Sequence, residues 1–537
     1  MSTFALALAI PLVVVRPLPQ EGWTALPLPS LCTPKLAPVH PIERLQRGYH
    51  ILLDELSSEC TARPAAAALG AAELSYLLAD ESAREDGALR LLGTAPPLLA
   101  RGSRAELERS LATLADLDAL GNALEIEVGA WWLPQSDPLP VWPDDAAARA
   151  RIAAAVPLGV ASVRSGGSVD LGRRRERSCV VSFEVEVASD ANVAEPRIGR
   201  VASGRTLHAR VARVGGGRSV LVEGLLDLAL ELPAEQFDPE NSDLGVFEQP
   251  RVTALQVAFA GKLASGGWLA VSITGHLQHD GVLLVQATTS PDPTGTLRWR
   301  GFDVAALAQP LVDWPMPEAS LDALFEEPRP EDLRAALPAA EFASVAASAL
   351  GAAKRGKLGS FDSSGRSGPV CGEGLLLLPA SESTAVAEVE ALVQASESQR
   401  TRSHALGLRH GALEVRLPVC DGSFVRVLAV DERTALFDYD VEVAEDAWIA
   451  MPRVRRVLSG LVLDGLVQGG GLAVRGWRVA SEPDIRVDKA RANLGALTLQ
   501  QSERTVLAAR IGAGSTRELL PSDPAHPSLS LTLSPAR

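Results

Sequence analysis

The segment FEVEVASDANVAEPRIGRVASGRTLH runs from residue 183 to 208, and YDVEVAEDAWIAMPRVRRVLSGLVLD runs from 439 to 464. The two stretches lie 256 residues apart, and 14 of their 26 positions are identical without a gap. Matching of that density identifies the chain as a tandem duplication. Both stretches open on a period of two. Val181, Phe183, Val185 and Val187 alternate with Ser182, Glu184 and Glu186; Phe437, Tyr439, Val441 and Val443 alternate with Asp438, Asp440 and Glu442. Such alternation predicts a strand with one buried and one wet face. Pro196 and Pro452 follow at the same offset and belong at a strand end or an unpaired edge, because proline has no N–H for the ladder. Ser203-Gly204 and Ser459-Gly460 predict a turn before the next apolar run.

Working outward, strands are predicted at 218–231, 251–260, 267–274 and 282–288 in the first copy. The second copy offers 472–480, 485–499 and 505–511, with Asn493 and Gly495 marking a bulge or turn. Gly266-Gly267 reads as a hairpin signal. Opening strands are placed at 124–132 and 404–411, and the first copy carries an insertion with a short helix at 146–155. Each copy is therefore an antiparallel β unit expected to bury its own alternating valines.

A shorter module precedes each unit. The first has a helical run at 42–62, with Leu45, Tyr49, Leu52, Leu53 and Leu56 at three-to-four spacing, and a second helical piece at 71–78. A strand at 87–92 and a helix at 103–120 follow. In that helix Ser103 and Glu106 form a capping box, and Leu107, Leu111, Leu114 and Leu117 make an apolar stripe. The second module repeats the order: helix at 330–353, strand at 374–378, and helix at 383–398 with Val386, Val389 and Val393 on one face. The Ser/Gly-rich stretch 357–369 reads as a flexible loop.

The fold class is α+β, mainly β. The predicted division is an apolar segment at 1–38, a module at 39–122, a β unit at 123–305, linker and module at 306–400, a β unit at 401–516, and a tail at 517–537.

Composition narrows the function. The 537 residues carry 51 Lys+Arg against 66 Asp+Glu, a net charge of −15. That excludes a large nucleic-acid footprint, which needs a basic surface. Cys32, Cys60, Cys179, Cys371 and Cys420 are odd in number and form no CxxC pair, so neither a disulfide framework nor a zinc site is indicated. Cys179 aligns with Ala435, which makes it a small apolar filler. Residues 4–15 form an apolar run too short to span a bilayer. The run has the length of a signal h-region but no Lys or Arg before it; the alternative is a buried strand. No segment approaches 18 apolar residues, so no transmembrane helix is expected.

No catalytic, cofactor-binding or metal site is assigned. His276, His279 and Asp280 are metal-capable, but on a strand positions three apart face opposite ways, and Gly275 and Gly281 bracket a polar turn. Gly365-Arg366-Ser367-Gly368-Pro369 resembles a protease nucleophile turn set in a linker without partners. Gly215-Gly216-Gly217 and Gly469-Gly470-Gly471 lack the GxxxxGK[ST] pattern of a phosphate loop and read as hairpin turns. Asp438, Asp440 and Glu442, with Glu184 and Glu186, read as wet strand faces. Arg197 and Arg200 recur as Arg453 and Arg456 and are expected to pair with those carboxylates. Arg173-Arg174-Arg175 reads as an exposed loop. Trp131, Trp132 and Trp142 read as packing residues.

On these motifs the chain resembles the secretins of bacterial type II and type III secretion systems. The strand-then-helix module running directly into LEIEV at 124–128 is similar to a secretin N-type module joined to the secretin-like β domain. The FxVEVA…AxP…SG…L stretch is similar to divergent tandem secretin-like proteins. QPRV at 249–252, then a strand, then Gly266-Gly267-Trp268-Leu269-Ala270 resembles the family's terminal hairpin. In the second copy 484–487 and 501–508 do so, with Ser502-Glu503-Arg504 in place of the glycine turn. The resemblance covers 70–290 and 370–515. No VPxLGxIPxLG-type segment is present, and aromatics are only 4%, thin for the girdles of a membrane barrel. The resemblance implies a non-enzymatic scaffold of the cell envelope, periplasmic or outer-membrane, that partners secretion proteins and self-associates without a cofactor. The alternative is a soluble adaptor, periplasmic or cytoplasmic, that takes partner peptides by strand addition.

Overall fold

The computed structural model describes residues 24–26, 50–52, 90–92, 98–101, 103–134, 136–188, 191–237, 247–276, 279–290, 297, 299–303, 370–372, 375–380, 383–444, 447–486, 497–520 and 527–535. The chain begins with β1 (Thr24–Leu26), β2 (Ile51–Leu52), β3 (Arg90–Leu92), β4 (Leu98–Arg101) and helix α1 (Arg104–Ala123). The first β unit follows: β5 (Glu125–Pro134), α2 (Asp145–Ile152), β6 (Val156–Arg164), β7 (Ser168–Ala188), β8 (Ala191–Val214), β9 (Ser219–Phe237), β10 (Phe247–Ala264), β11 (Trp268–Thr274) and β12 (Gly281–Thr289). Next come β13 (Trp299–Asp303), β14 (Val370–Gly372), β15 (Leu375–Pro379) and α3 (Ser383–Arg400). The second β unit is β16 (Ser403–His410), β17 (Leu413–Cys420), β18 (Phe424–Ala444), β19 (Ala447–Gln468), β20 (Gly471–Arg486), β21 (Leu497–Gly512), β22 (Ser515–Leu520) and β23 (Leu529–Pro535). The chain is mainly β, with antiparallel pairing throughout the described sheets and a few helices.

The two matching segments take the same ladder geometry. Val181 and Phe437 sit at the same register shift, between Val180 and Ser182 in one copy and between Leu436 and Asp438 in the other. A bulge repeated at the same offset bends both hairpins alike. The two copies do not form separate sandwiches that each bury their own valines, as expected from the sequence. They share two sheets. The long strands form one sheet in the order β7-β8-β9-β10-β18-β19-β20-β21, with β2 added to β8. The short strands form the other, β6-β5-β12-β11-β17-β16-β23-β22. In each, copy one fills one half and copy two the other, in the same order.

The sheets pack face to face. Val211, Leu226 and Val257 of the long sheet meet Val128, Leu283 and Leu531 of the short sheet in one core. Fully burying such a side chain contributes about 1.5–3 kcal/mol. The chain passes between the sheets at tight corners. Gly166, Gly422, Gly266 and Gly514 stand there with φ of 82°, 71°, 78° and 77°, a left-handed backbone that favours glycine. Gly266-Gly267 is thus a corner between sheets, since β10 and β11 belong to different ones. Its counterpart is Gly514; Ser502-Glu503-Arg504 lies inside the continuous strand β21.

Ser203-Gly204 and Ser459-Gly460 are also not turns. They lie inside β8 and β19, where each strand passes from one paired edge to two. Gly204 and Gly460 have φ of 139° and 141°, and an added Cβ would meet a neighbouring carbonyl oxygen at 2.2 and 2.1 Å. The glycines let strands approach closely rather than reverse. Pro196 and Pro452 lie in the outer halves of β8 and β19, where pairing runs along one edge only. The missing N–H is harmless there.

Module two is a three-stranded sheet, β13-β15-β14, under α3. Phe302, Leu376 and Leu378 pack against Val389 and Val393. Module one pairs β1-β4-β3. The capping box of α1 is present: Ser103 Oγ accepts from Glu106 N at 3.3 Å, and Glu106 Oε2 accepts from Ser103 N at 2.6 Å. The helix predicted at 42–62 is overturned at 50–52, where His50 is a bend and residues 51–52 form strand β2 because Val201 and Arg200 of β8 pair with them. Strand β13 pairs with β15, so module two begins before residue 306. The segment 517–537 contains β23, whose Leu529, Leu531 and Leu533 are fully buried, and so is not a tail. The predicted features at 4–15, 71–78, 330–353, 357–369, Asn493 and Gly495 lie outside the described residues.

Candidate functional site

Two features stand out: the sheet edges and a polar cleft. At the middle of the long sheet β10 pairs with β18, from Arg251 opposite Arg433 to Ala258 opposite Arg426. In the short sheet β11 pairs with β17, including Ile273 opposite Val415. Because the copies repeat in the same order, the molecule's ends carry the counterparts of these junction strands. β7 and β6 correspond to β18 and β17; β21 and β22 correspond to β10 and β11. Among the described residues β7 pairs only with β8, β21 only with β20, β6 only with β5, and β22 only with β23. On edge strand β6, Val156 is 44% and Val160 59% exposed.

The cleft lies where β9 leaves β8. Residues 50–52 fill the gap along the edge of β8. His50 N and Ile51 N donate to the two carboxylate oxygens of Glu432 on β18, at 2.7 and 3.0 Å. The His50 ring bonds Asp227 Oδ1 on β9 at 2.9 Å. Ala202 N donates to His50 O at 2.8 Å, and Arg456 Nη1 to Ile51 O at 3.2 Å. Ile51 is fully buried among Val181, Val201, Val252 and Val430. Burial opposes charge on His50, but Asp227 and then Glu432 outweigh it, and its pKa rises to about 9. Burial likewise works against the Asp227 carboxylate, yet His50 and Arg174 hold its pKa below the ordinary value. The sequence reading missed all three residues. The available signal was Asp227 alone in the apolar run LLDLAL.

Glu184 receives Arg197 at 2.7 Å, and Arg453 lies directly opposite Asp438 in the ladder. Arg200 stands opposite Leu52, and Arg456 serves the cleft. The side chains of Glu186, Phe437, Asp438, Tyr439, Asp440 and Glu442 lie outside the described residues, as do residues 365–369. Arg173-Arg174-Arg175 is not a loop; it lies on edge strand β7.

His276 and His279 stack with ring centroids 5.3 Å apart in the turn between β11 and β12. His276 N donates to Asp280, and the His279 ring faces the carbonyl of Thr253 at 3.2 Å. Burial drives the pKa of His279 down to about 4. Gly215-Gly216-Gly217 and Gly469-Gly470 are hairpin turns with positive φ. Trp132 is fully buried, Trp131 packs on Trp268 at 5.3 Å, and Trp142 donates to the carbonyl of Lys262. Cys179 and Ala435 are both buried at equivalent positions.

No known family's model matches the chain, and no curated protein does. Among solved structures, the InvG secretin domain β-barrel from the Salmonella SPI-1 injectisome NC-base is similar over 51% of this chain and 88% of its own, at 10% identity and a TM-score of 0.23. A superposition that loose transfers nothing of the neighbour's role to this chain. No helix among the described residues is long and apolar enough to cross a membrane.

Proposed function

We propose that the chain is a non-enzymatic, secretin-like scaffold of the cell envelope whose copies join head to tail by strand pairing. The observation that carries the head-to-tail pairing is the internal junction. It pairs, inside one chain, the same two strand types that, among the described residues, have no further partner at the two ends in both sheets. An unpaired edge is a template for another strand, and a heterologous contact closes into a ring where the rotation per copy allows.

The junction also sets the register. Gly204 and Gly460 are equivalent and face Ala229 and Val479, which face Ala254 and Arg504. Transferring the junction places residues 501–508 of one copy beside 170–177 of the next. Glu503 then falls opposite Arg175, and Thr505 opposite Arg173. Arg504 falls opposite Arg174, much as Arg251 already falls opposite Arg433. The basic run on β7 thereby gains a carboxylate partner.

The test is oxidative crosslinking of the full chain carrying Arg173→Cys and Thr505→Cys. A ladder of covalent multimers is expected, weaker by about tenfold when the second cysteine is moved to residue 503. A strict monomer in gel filtration with no ladder removes the head-to-tail reading and favours an adaptor that takes extended peptides at the same edges. Cell fractionation tests the envelope assignment.

A further inference from the structure

We infer that the cleft between β8 and β9 is a peptide-acceptor site, that it takes a segment with an imidazole-bearing residue at a bend followed by an aliphatic residue on an extended stretch, and that residues 50–52 are its built-in occupant.

The geometry is that of recognition. A strand adds to a free stretch of edge, through Ile51 opposite Val201 and Leu52 opposite Arg200. Specificity comes from side-chain sockets, as in strand-addition binding, here on two successive residues. One carboxylate takes two successive backbone N–H groups, a second takes the ring, and an apolar socket takes Ile51. Charge-assisted bonds of this kind are roughly twice as strong as neutral ones. The sockets are unequal between copies. Asp227 comes from copy one, where the equivalent position in copy two is Trp477. Glu432 comes from copy two and its equivalent in copy one is again a glutamate, Glu176, so the difference lies at the Asp227 position. The site therefore exists once per chain, at the seam between the copies, and its occupant ties the N-terminal region to both.

The charges facing His50 are Asp227 on β9 and Glu432 on β18. Arg174, ion-paired with Glu176 at 3.4 Å, stands beside Asp227 from β7. Gln256 on β10 hydrogen-bonds Asp227, Arg456 reaches in from β19, and His279, with Arg205 nearby, approaches Asp227 from the β11–β12 turn. The folded-state pKa of His50 is raised from 6.5 to about 9. Its contribution is therefore fully present below about pH 6.5 and is lost as pH rises through about 9. The occupant is therefore held more tightly at neutral pH than in alkali.

The cleft stands apart from the sheet edges, so its test neither needs nor decides the head-to-tail pairing. The probe is a fluorescent peptide of residues 46–55, read by anisotropy against the full chain. The wild type, already filled, should bind it weakly, and His50→Ala at least tenfold more tightly. Adding Glu432→Gln to His50→Ala should abolish the gain, and a probe with its own histidine replaced by alanine should bind at least tenfold more weakly. Equal binding by all three proteins, or indifference to the probe's histidine, overturns the inference. Should His50→Ala fail to fold, hydrogen exchange of the wild type decides. The amides of His50 and Ile51 should lose at least tenfold protection between pH 7 and 10, beyond the intrinsic change, while Val257 in the main core keeps its own. Parallel behaviour of the three amides overturns it as well.

Discussion

Copy one and copy two each place an acid and a base at one register position and set them in opposite order. Asp170 faces His208 across β7 and β8, with Oδ1 2.6 Å from the ring nitrogen. Arg426 faces Asp464 across β18 and β19, bonding both carboxylate oxygens at 2.8 and 3.2 Å. The acid and the base have changed strands, while the backbone geometry has not. A buried cross-strand site thus demands complementary charge but not a particular order of charge. The bases also differ in kind. Arginine offers a planar fork that bonds both carboxylate oxygens, whereas the imidazole makes one bond. Copy two's pair is fully enclosed, with Arg426 at 0% exposure, and lies next to the junction with β10.

That contrast can be broken most sharply at Arg426. Arg426→Ala leaves Asp464 buried without its cation and should destabilise the chain by about 3–5 kcal/mol in chemical denaturation. His208→Ala, whose partner Asp170 keeps some solvent access, should lose about 1–3 kcal/mol. Equal losses would mean that enclosure does not separate the two copies.

Next in size is the core that both copies share. Leu283→Ala in copy one and Leu531→Ala in copy two, both fully buried, should each lose about 2–5 kcal/mol. Because the copies share one core, a single unfolding transition should shift in either variant. Two separate transitions would show that the copies unfold independently. Gly204→Ala and Gly460→Ala test the repeat at backbone level. Both force a Cβ into a carbonyl oxygen at positive φ, and losses of about 1–3 kcal/mol, equal within error, are expected.

The helices supply a pH comparison. The buried residues of α1 are all uncharged, whereas α3 buries Glu397, which accepts from Gly215 N at 2.7 Å. Burial raises its pKa from 4.5 to about 7. The folded state then holds a proton that the unfolded state releases, so stability should fall as pH rises from about 4.5 to 7, by at most about 1.4 kcal/mol per pH unit. Glu397→Gln should remove that slope, measured as the pH dependence of the denaturation midpoint. The smallest effect is expected on the surface. Arg197→Ala breaks a pair whose members are 57% and 52% exposed and should change stability by less than about 1 kcal/mol.

Much of this was legible in the chain. The alternation around Val181 and Phe183 placed β7, and its copy placed β18. The Ser103–Glu106 box placed α1, and the triple glycines placed two hairpins. Each of these signals lies within a few residues, where local geometry decides. The corner at Gly266 was misread because a positive-φ glycine serves a hairpin and a change of sheet equally well. Gly204 was misread because a glycine demanded by close strand approach looks the same in sequence as one demanded by a turn. The helical reading of 42–62 failed at His50 because its leucine spacing says nothing of Glu432, which lies 382 residues away.

The amino-acid sequence by itself determined that two 26-residue stretches match, that the chain is mainly β, and that strand-rich units follow small α/β modules, because periodicity and repetition are local properties of the chain. Only the tertiary structure decided that the two copies merge into shared sheets and that His50 is clamped between Asp227 and Glu432. Those outcomes rest on which strand edges meet and which carboxylates share a cleft. That is settled by burial and hydrogen bonding between residues far apart in the chain, and neither leaves a mark on the spacing of neighbours.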